Sequence, residues 1–330
     1  SDGIIIHRSA VRIREAPPSP SLHHPHLLWR DPLTGHPGAK SLKIIIVKLS
    51  SLGDIVQTLP MVKDLHDHFP NAIIDWIAEE SFVDLLTVVP GIRQVHRCAQ
   101  RRWRKSWWQH QTRQEWKLFL DKLHAESYDV VIDAQGLIKS ALIARKVRLV
   151  QGGFRATFGN ASAQCSYETP VRWLLDRPIP MPWHIHAVDR TRLLAGLAMG
   201  YAVDFNQTQY PFSALPTNQR RGLFIGHGTT RPDNEWPDVN WLKLADMAIA
   251  EGHPILIPQS GARENKRALS WVEKLGSQAE LLPPMTLSEL LPVMQSSLGS
   301  VCVDSGLGHL AIALGLPVVQ IFSQPRIARA

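Results

Sequence analysis

Four stretches of the chain gather residue types that can do chemistry. Lys48–Asp54 (KLSSLGD) ends on a carboxylate, with Gly53 permitting a tight turn and Ser50 and Ser51 offering hydroxyls. Asp54 can act as a general base on an incoming hydroxyl. It can equally cap a helix, because Gln57 stands three residues on and completes a D-x-x-Q box. The spacing leaves both roles open. A single glycine in this loop excludes the G-x-G-x-x-G and Walker patterns. Val303–His309 (VDSGLGH) carries Gly306 and Gly308, which let backbone amides approach a ligand. A helix N-terminus here favours an anion by roughly 0.3–1 kcal/mol, and a diphosphate is its natural guest. A plain structural turn is the alternative. Gly226–Trp236 (GHGTTRPDNEW) places Thr229, Thr230 and Arg231 where hydroxyls and a guanidinium fork could hold phosphate oxygens, or where the loop merely caps a helix.

The fourth stretch, Arg97–Lys117 (RCAQRRWRKSWWQHQTRQEWK), holds seven Lys or Arg against one Glu, with Trp103, Trp107, Trp108 and Trp116 interleaved. A charge run is usually a solvated face, yet four tryptophans are not expected on one. Stacked bases, a sugar face or a membrane interface would each account for them. Other chemistry is excluded by pattern. No D-x-D pair occurs to hold a metal, and neither a G-x-S-x-G elbow nor an H-E-x-x-H helix is present.

The elements that must position these residues alternate between strand and helix. Leu42–Leu49 is a β-branched apolar run, the mark of a buried parallel strand, and a helix follows from Ile55 to about Phe69. Further strands are expected at Ala72–Ala78, Gln94–Arg97 and Asp129–Asp133, with helices at Ser81–Val88, Lys117–Ser127 and over QGLIKSALIARKV. A helix at His186–Met199 closes this half, after an irregular Gly/Pro-rich segment at Gln151–Trp183. Alternation restarts at Leu223–His227. It continues through helix Val239–Glu251, strand Pro254–Pro258, helices Arg263–Leu275 and Pro284–Ser296, strand Ser300–Asp304, helix His309–Leu314 and strand Val318–Phe322. The pattern predicts two doubly wound parallel-sheet domains, 41–203 and 221–330, joined by a polar linker at 204–220. Residues 1–40 read as a disordered or artefactual extension, with His23, His24 and His26 in a solvated tail rather than a weak metal site. A closing helix is expected after the last strand, so the second domain reads as truncated.

At 330 residues the chain can hold two cores, and its 44% hydrophobic content is that of a globular protein. No apolar run approaches the ~20 residues of a spanning helix, and GIIIH is too short for a signal peptide. Three scattered cysteines, Cys98, Cys165 and Cys302, fit a reducing compartment. A net charge of +7 implies an anionic partner: nucleic acid, a membrane surface, or a phosphorylated or carboxylated substrate.

Taken together, KLSSLGDIVQTLP, RRWRKSWW, YDVVIDAQGLIKSA, HAVDRTR, GTTRPDNEWP and VDSGLGHLAIALGLPVV stand in an order that resembles the lipopolysaccharide heptosyltransferases of glycosyltransferase family 9. The resemblance spans roughly Leu42 to Phe322, and RRWRKSWW and DAQGLIKS point to the first heptosyltransferase rather than the second. It implies a GT-B fold, two Rossmann-like domains facing a cleft, and inverting transfer of L-glycero-D-manno-heptose from ADP-heptose to the first Kdo of Kdo2–lipid A. Carried onto this sequence, the catalytic base falls on Asp54. The donor site falls on Thr229, Thr230, Arg231, Asn234, Glu264, Asp304, Ser305, Gly306, Leu307 and His309. Ser51, Gly53, Arg101, Arg102, Arg104, Lys105 and Lys139 would meet the acceptor. No metal or cofactor, no nucleic acid and no obligate protein partner is implied; the enzyme would be peripheral on the cytoplasmic face of the inner membrane, in contact with anionic lipid. Asn234 departs from the lysine common in the family, with Arg231 a candidate substitute. The rival readings are another ADP-heptose transferase such as heptosyltransferase II, a nucleic-acid-binding module, or an inactive fragment.

Overall fold

The computed structural model describes residues 4–7, 41–163, 165–213, 221–229 and 234–322. Strand β1 (Ile4–His7) lies within the stretch read as an extension and pairs antiparallel with the last strand of the second sheet; the rest of 1–40 lies outside the described residues. The first domain then runs β2 (Lys43–Val47), α1 (Leu52–His68), β3 (Ile73–Glu79), α2 (Val83–Thr87), β4 (Gln94–Cys98), α3 (Gln100–Trp103), α4 (His110–Leu123), β5 (Tyr128–Asp133), α5 (Ile138–Ala144), β6 (Leu149–Phe158), α6 (Val171–Leu174), β7 (Arg177–Ile179) and α7 (Ala187–Met199). Its strands are ordered β4-β3-β2-β5-β6-β7 and all pair in parallel. The order reverses between β2 and β5, which opens a crevice at their carboxyl ends.

The second domain repeats the scheme with β8 (Leu223–Gly226), α8 (Asp238–Ala250), β9 (Ile255–Ile257), α9 (Gly261–Leu275), β10 (Ala279–Leu281), α10 (Leu287–Gln295), β11 (Gly299–Val303), α11 (Gly306–Ala313) and β12 (Val318–Ile321). Its order, β1-β12-β11-β8-β9-β10, reverses between β8 and β11. Both expected α/β domains are therefore present, each with a switch point.

Burial explains the layering. Ile44–Val47 of β2 are fully buried because helices cover both faces of the sheet. One face packs on α1 and α7 through Ile44, Ile46, Leu59 and Leu194. The other packs under α3–α6 through Ile45, Val47, Phe119, Ala141 and Val171. A third cluster belongs to both domains: Val56 of α1 and Leu85 of α2 sit with Phe224, Leu290 and Leu310. Tyr210 and Phe212, inside the expected linker, pack against the first and third clusters, so that part of the linker is anchored.

Several expectations change: helix α1 begins at Leu52 rather than Ile55, and α4 runs His110–Leu123 rather than from Lys117. Gln151–Trp183 is not irregular throughout: it holds most of β6, a ten-residue strand, together with α6 and β7. Gly152 and Gly153 and a solvent-facing first half disguise β6, and Gly153 is needed because a Cβ there would stand 2.9 Å from the Asp129 carbonyl oxygen. Strand β10 is three residues with one exposed glutamate, too short to carry a period. Helix α11 begins at Gly306, three residues before the position expected.

Candidate functional site

The two switch points face one another across the domain boundary, where α1 and α11 meet near their N-termini. Each helix supplies a glycine that seats a side chain of the other. A Cβ on Gly306 would lie 2.6 Å from the Leu52 side chain, and one on Gly53 would lie 2.7 Å from the His309 ring. Gln57 Nε2 reaches His309 Nδ1 at 3.5 Å. A second bridge joins Ser288 of α10 to Asp84 of α2, whose carboxylate accepts from the Ser288 amide at 3.1 Å.

On the first rim, Asp54 is not the helix cap that D-x-x-Q spacing suggested. Ser51 is the N-cap and Asp54 the third residue of α1, its carboxylate accepting from the Ser51 amide at 2.9 Å and the Ser51 hydroxyl at 2.8 Å. This is the reach-back arm of a capping box. Gln57 is thereby released to contact the other domain. The turn itself is held from β5: Gln135 Oε1 accepts from the Leu49 and Ser50 amides at 3.0 and 3.2 Å. Beneath Asp54 lies Lys48, buried, donating to the Ala134 carbonyl at 3.0 Å. Burial pushes the Lys48 ammonium below the usual lysine range, while the charges of Asp54 and Asp133 pull it back. Asp133 is fully buried, and desolvation pushes its carboxyl up to about 6 against hydrogen bonds from Ser140, Gln135, Gly136 and Thr157. Sequence reasoning passed over Lys48 and Asp133 although both lay inside quoted motifs; a charge at the carboxyl end of a buried strand was the signal.

The facing rim comes from β8 and β11. Asp304 and Ser305 form the turn and α11 starts at Gly306, so three residues of the expected loop, Gly306 to Gly308, are helical first-turn residues. Asn234 Nδ2 donates to the Asp304 carbonyl at 3.3 Å and its carboxylate at 3.4 Å, and Gln320 Nε2 reaches the same carboxylate at 3.3 Å. Among the described residues, the Ser305 hydroxyl is buried with no partner. Leu307 packs into the shared interdomain cluster, which leaves its amide as the part that can serve a ligand. Glu264, in the first turn of α9, sits against Gly228 so closely that any Cβ there would collide with its carboxylate. Burial raises the Glu264 pKa, opposed by a bond from the Ser260 amide. Glu264 is thus placed beside the Gly228–Thr229 turn. Thr230 and Arg231 lie outside the described residues. A cleft of about 360 Å³ opens alongside, lined by Gln259, Ser260, Asn265, Pro284 and Met285, within the range of small-molecule sites.

The basic, tryptophan-rich stretch divides. Trp103 is buried, donates to Glu115 at 2.9 Å and meets Trp116 edge-on with ring centres 5.5 Å apart. Trp103 is core, Trp116 is half-buried against it, and only Trp107 and Trp108 are exposed. Arg102 is held by Glu80 and Glu115. Arg101, Arg104 and Lys105 stay at the surface, and Lys139 is brought near them by a bond from Gln100 Nε2 to its carbonyl at 3.2 Å. Arg190 was missed. It is 4% exposed, its guanidinium carbon lies 3.5 Å from the centre of the Phe158 ring, and among the described residues its Nε has no partner. Burial pushes its pKa down, and Cys165 opposes the shift. HAVDRTR contains this arginine; helical placement alone gave no hint that it points inward.

Chemically, the arrangement offers a carboxylate on one rim and, on the other, a helix N-terminus with an unfilled hydroxyl, next to a nucleoside-sized cleft. Among the described residues there is no group of three or more His, Cys, Asp or Glu that could hold a metal, and no helix long and apolar enough to cross a membrane.

Comparison with known proteins agrees with this geometry. The sequence profile described as Glycosyltransferase family 9 (heptosyltransferase) matches residues 115–329. Lipopolysaccharide heptosyltransferase 1 of Pseudomonas aeruginosa is 33% identical over 286 residues, covering 85% of this chain and 78% of that protein. The protein of the same description from Escherichia coli is 33% identical over 287 residues, covering 85% and 88%. The solved structure of the E. coli heptosyltransferase WaaC with ADP-2-deoxy-2-fluoro heptose superposes with a TM-score of 0.77 at 33% identity, covering 84% of this chain and 88% of that one. The chain belongs to glycosyltransferase family 9, the heptosyltransferases.

Proposed function

We propose that this family 9 glycosyltransferase moves L-glycero-D-manno-heptose from ADP-heptose to the first Kdo of Kdo2–lipid A, with inversion, at the cytoplasmic face of the inner membrane. The observation that carries the reading is the meeting of two switch points: Asp54 on one rim and the Asp304–His309 turn on the other, interlocked at Leu52–Gly306 and Gly53–His309. The likeness to a heptosyltransferase solved with an ADP-heptose analogue supports the donor.

In this reaction the Kdo hydroxyl oxygen forms a bond to heptose C1 as the bond from C1 to the β-phosphate oxygen breaks. The proton passes to Asp54 and the electron pair leaves with ADP. Asp54 is suited to this because its carboxylate is oriented by Ser51 yet partly open to the cleft. Departing diphosphate charge meets the first-turn amides of α11 and the Ser305 hydroxyl; Thr229, Thr230 and Arg231 are the sequence candidates for its remaining oxygens. Glu264 and the Gln259–Met285 cleft take the nucleoside. Asn234 replaces a lysine's charge with a neutral amide already engaged by Asp304, so the leaving group relies on the backbone and on Arg231. Arg101, Arg104, Lys105, Lys139 and buried Arg190 receive the acceptor's carboxylate and phosphates.

The test is Asp54→Asn with ADP-heptose and Kdo2–lipid A. Transfer should fall by at least about a hundredfold, while calorimetric ADP affinity stays within about twofold of the parent. Unchanged turnover would remove Asp54 as base. Transfer only to an already heptosylated core would move the chain to the second heptosyltransferase activity.

A further inference from the structure

The first domain's two helical layers differ on their outer sides. The layer of α1 and α7 is turned partly toward the second domain through α1 and α11. The layer of α3–α6 is turned away from it, and its outward side carries large apolar groups: Trp108 is 73% exposed, Trp173 71%, and Leu142 49%. Ile138, Leu142 and Arg145 form one exposed stripe along α5, at helical spacing i, i+4, i+7. Helix α6 runs beside it, and Glu168 just before α6 accepts from the Ile138 amide at 2.6 Å. Gln100 ties α3 to α5 at Lys139. These helices pack on one common apolar cluster beneath them, so their outer sides make one continuous surface.

Cations surround this apolar surface. Arg97 and Arg102 are spent on Glu80 and Glu115, but Arg101, Arg104, Lys105, Lys139 and Arg172 carry no salt bridge among the described residues. Tryptophan beside Lys and Arg that are free of salt bridges among the described residues, around protruding Leu and Ile, is the composition of a face that lies in the headgroup layer of an anionic bilayer. A nucleic acid would use the cations and the indoles but leaves Ile138 and Leu142 without a role.

We propose that the outer face of α3–α6, centred on Ile138, Leu142 and Trp173, docks on the surface of an anionic phospholipid bilayer. The upper rim of this face is the strand-carboxyl edge where Arg101, Lys105 and Lys139 lie, so docking presents the mouth of the cleft to a lipid-anchored acceptor. This deepens the reading of the acceptor as a lipid and rests on it.

The experiment uses the full chain and sedimentation with phosphatidylethanolamine vesicles containing about a quarter phosphatidylglycerol, against phosphatidylcholine vesicles. The parent should bind the anionic vesicles and lose binding at high salt. The double variant Leu142→Glu/Trp173→Glu should bind at least about tenfold more weakly. Leu197→Glu, the same change at an exposed site on α7, should bind as the parent does. No binding by the parent, or equal loss in the Leu197→Glu control, overturns the proposal. Turnover separates docking from catalysis: the double variant should match the parent on a soluble, deacylated Kdo-bearing acceptor and fall behind on acceptor embedded in vesicles. Equal loss on both acceptors would make the face part of the site and end the docking assignment. Vesicle binding by a parent without heptosyl transfer would instead strike the functional reading and leave the docking face standing.

Discussion

The two strand-to-helix turns that meet at the domain boundary are built to one plan and completed differently. After β2, the turn satisfies itself: Asp54 takes two bonds from Ser51, Gln135 takes two backbone amides, and Lys48 is tied to Ala134. After β11, Asn234 and Gln320 donate to the Asp304 carbonyl and carboxylate at 3.3–3.4 Å, and among the described residues the Ser305 hydroxyl is buried without a partner. A buried hydroxyl left unsatisfied costs about 1–3 kcal/mol, a penalty a phosphate oxygen would remove. On the proposed reading, the first turn is finished before substrate arrives, and the second would be completed by its ligand. A base must hold its aim, whereas a leaving-group site gains by saving its best bonds for the charged product.

Breaking the comparison hardest means removing Asp54, whose loss should cost at least about a hundredfold in rate with little change in stability. Next is Gln135→Ala, which strips the shared acceptor from two buried amides. It should lower stability by about 2–4 kcal/mol and shift the thermal midpoint by several degrees, read by calorimetry; a midpoint equal to the parent's would refute the picture of a self-completed first turn. Ser305→Ala should do the reverse. Stability should hold or rise slightly, and ADP affinity should weaken about tenfold.

The domains should also part company in pH. Asp133, raised to about 6, binds its proton more tightly folded than unfolded, so its contribution favours the first domain below pH 4 and is lost as pH rises through 6. His227 is buried, donates to the Pro258 carbonyl and is lowered to about 4 by desolvation. It favours the second domain above pH 6.5 and that contribution is lost as pH falls through 4. Hydrogen exchange corrected for intrinsic rate should therefore show β5 becoming more protected, and β8 less, between pH 7 and pH 5. Parallel trends in the two strands would contradict this assignment. The smallest effect is expected from Gln57→Ala: a modest fall in kcat with KM for ADP-heptose nearly constant, because Gln57 contacts the His309 ring without lining the nucleoside cleft.

Much of this was legible in the residue order. KIIIV and GSVCV could only be buried strands, and Gly-bearing turns after them located both switch points. The cap at the head of α1 was not legible, since S-x-x-D and D-x-x-Q overlap at Asp54 and only the backbone decides which residue starts the helix. The division of the tryptophans was hidden for a similar reason. Trp103 and Trp116 turn inward because α3 and α4 fold back on each other, a tertiary event with no local period. Arg190 is the sharpest case: a charged side chain is expected outside, and its seat over Phe158 depends on a strand, β6, whose own glycines masked it.

The seating of Leu52 at Gly306 and of His309 at Gly53 has the logic of meshed gear teeth. A flat apolar contact would let the halves glide through a continuum of orientations. Teeth allow only registers, because a side chain is either in its notch or riding on the neighbouring residue. Misalignment of the two halves should then come in discrete steps, so that a variant with a filled notch, such as Gly306→Val, populates a separate, countable conformer rather than a blurred average. Distances between labels on the two halves, measured one molecule at a time, would resolve it as a second peak.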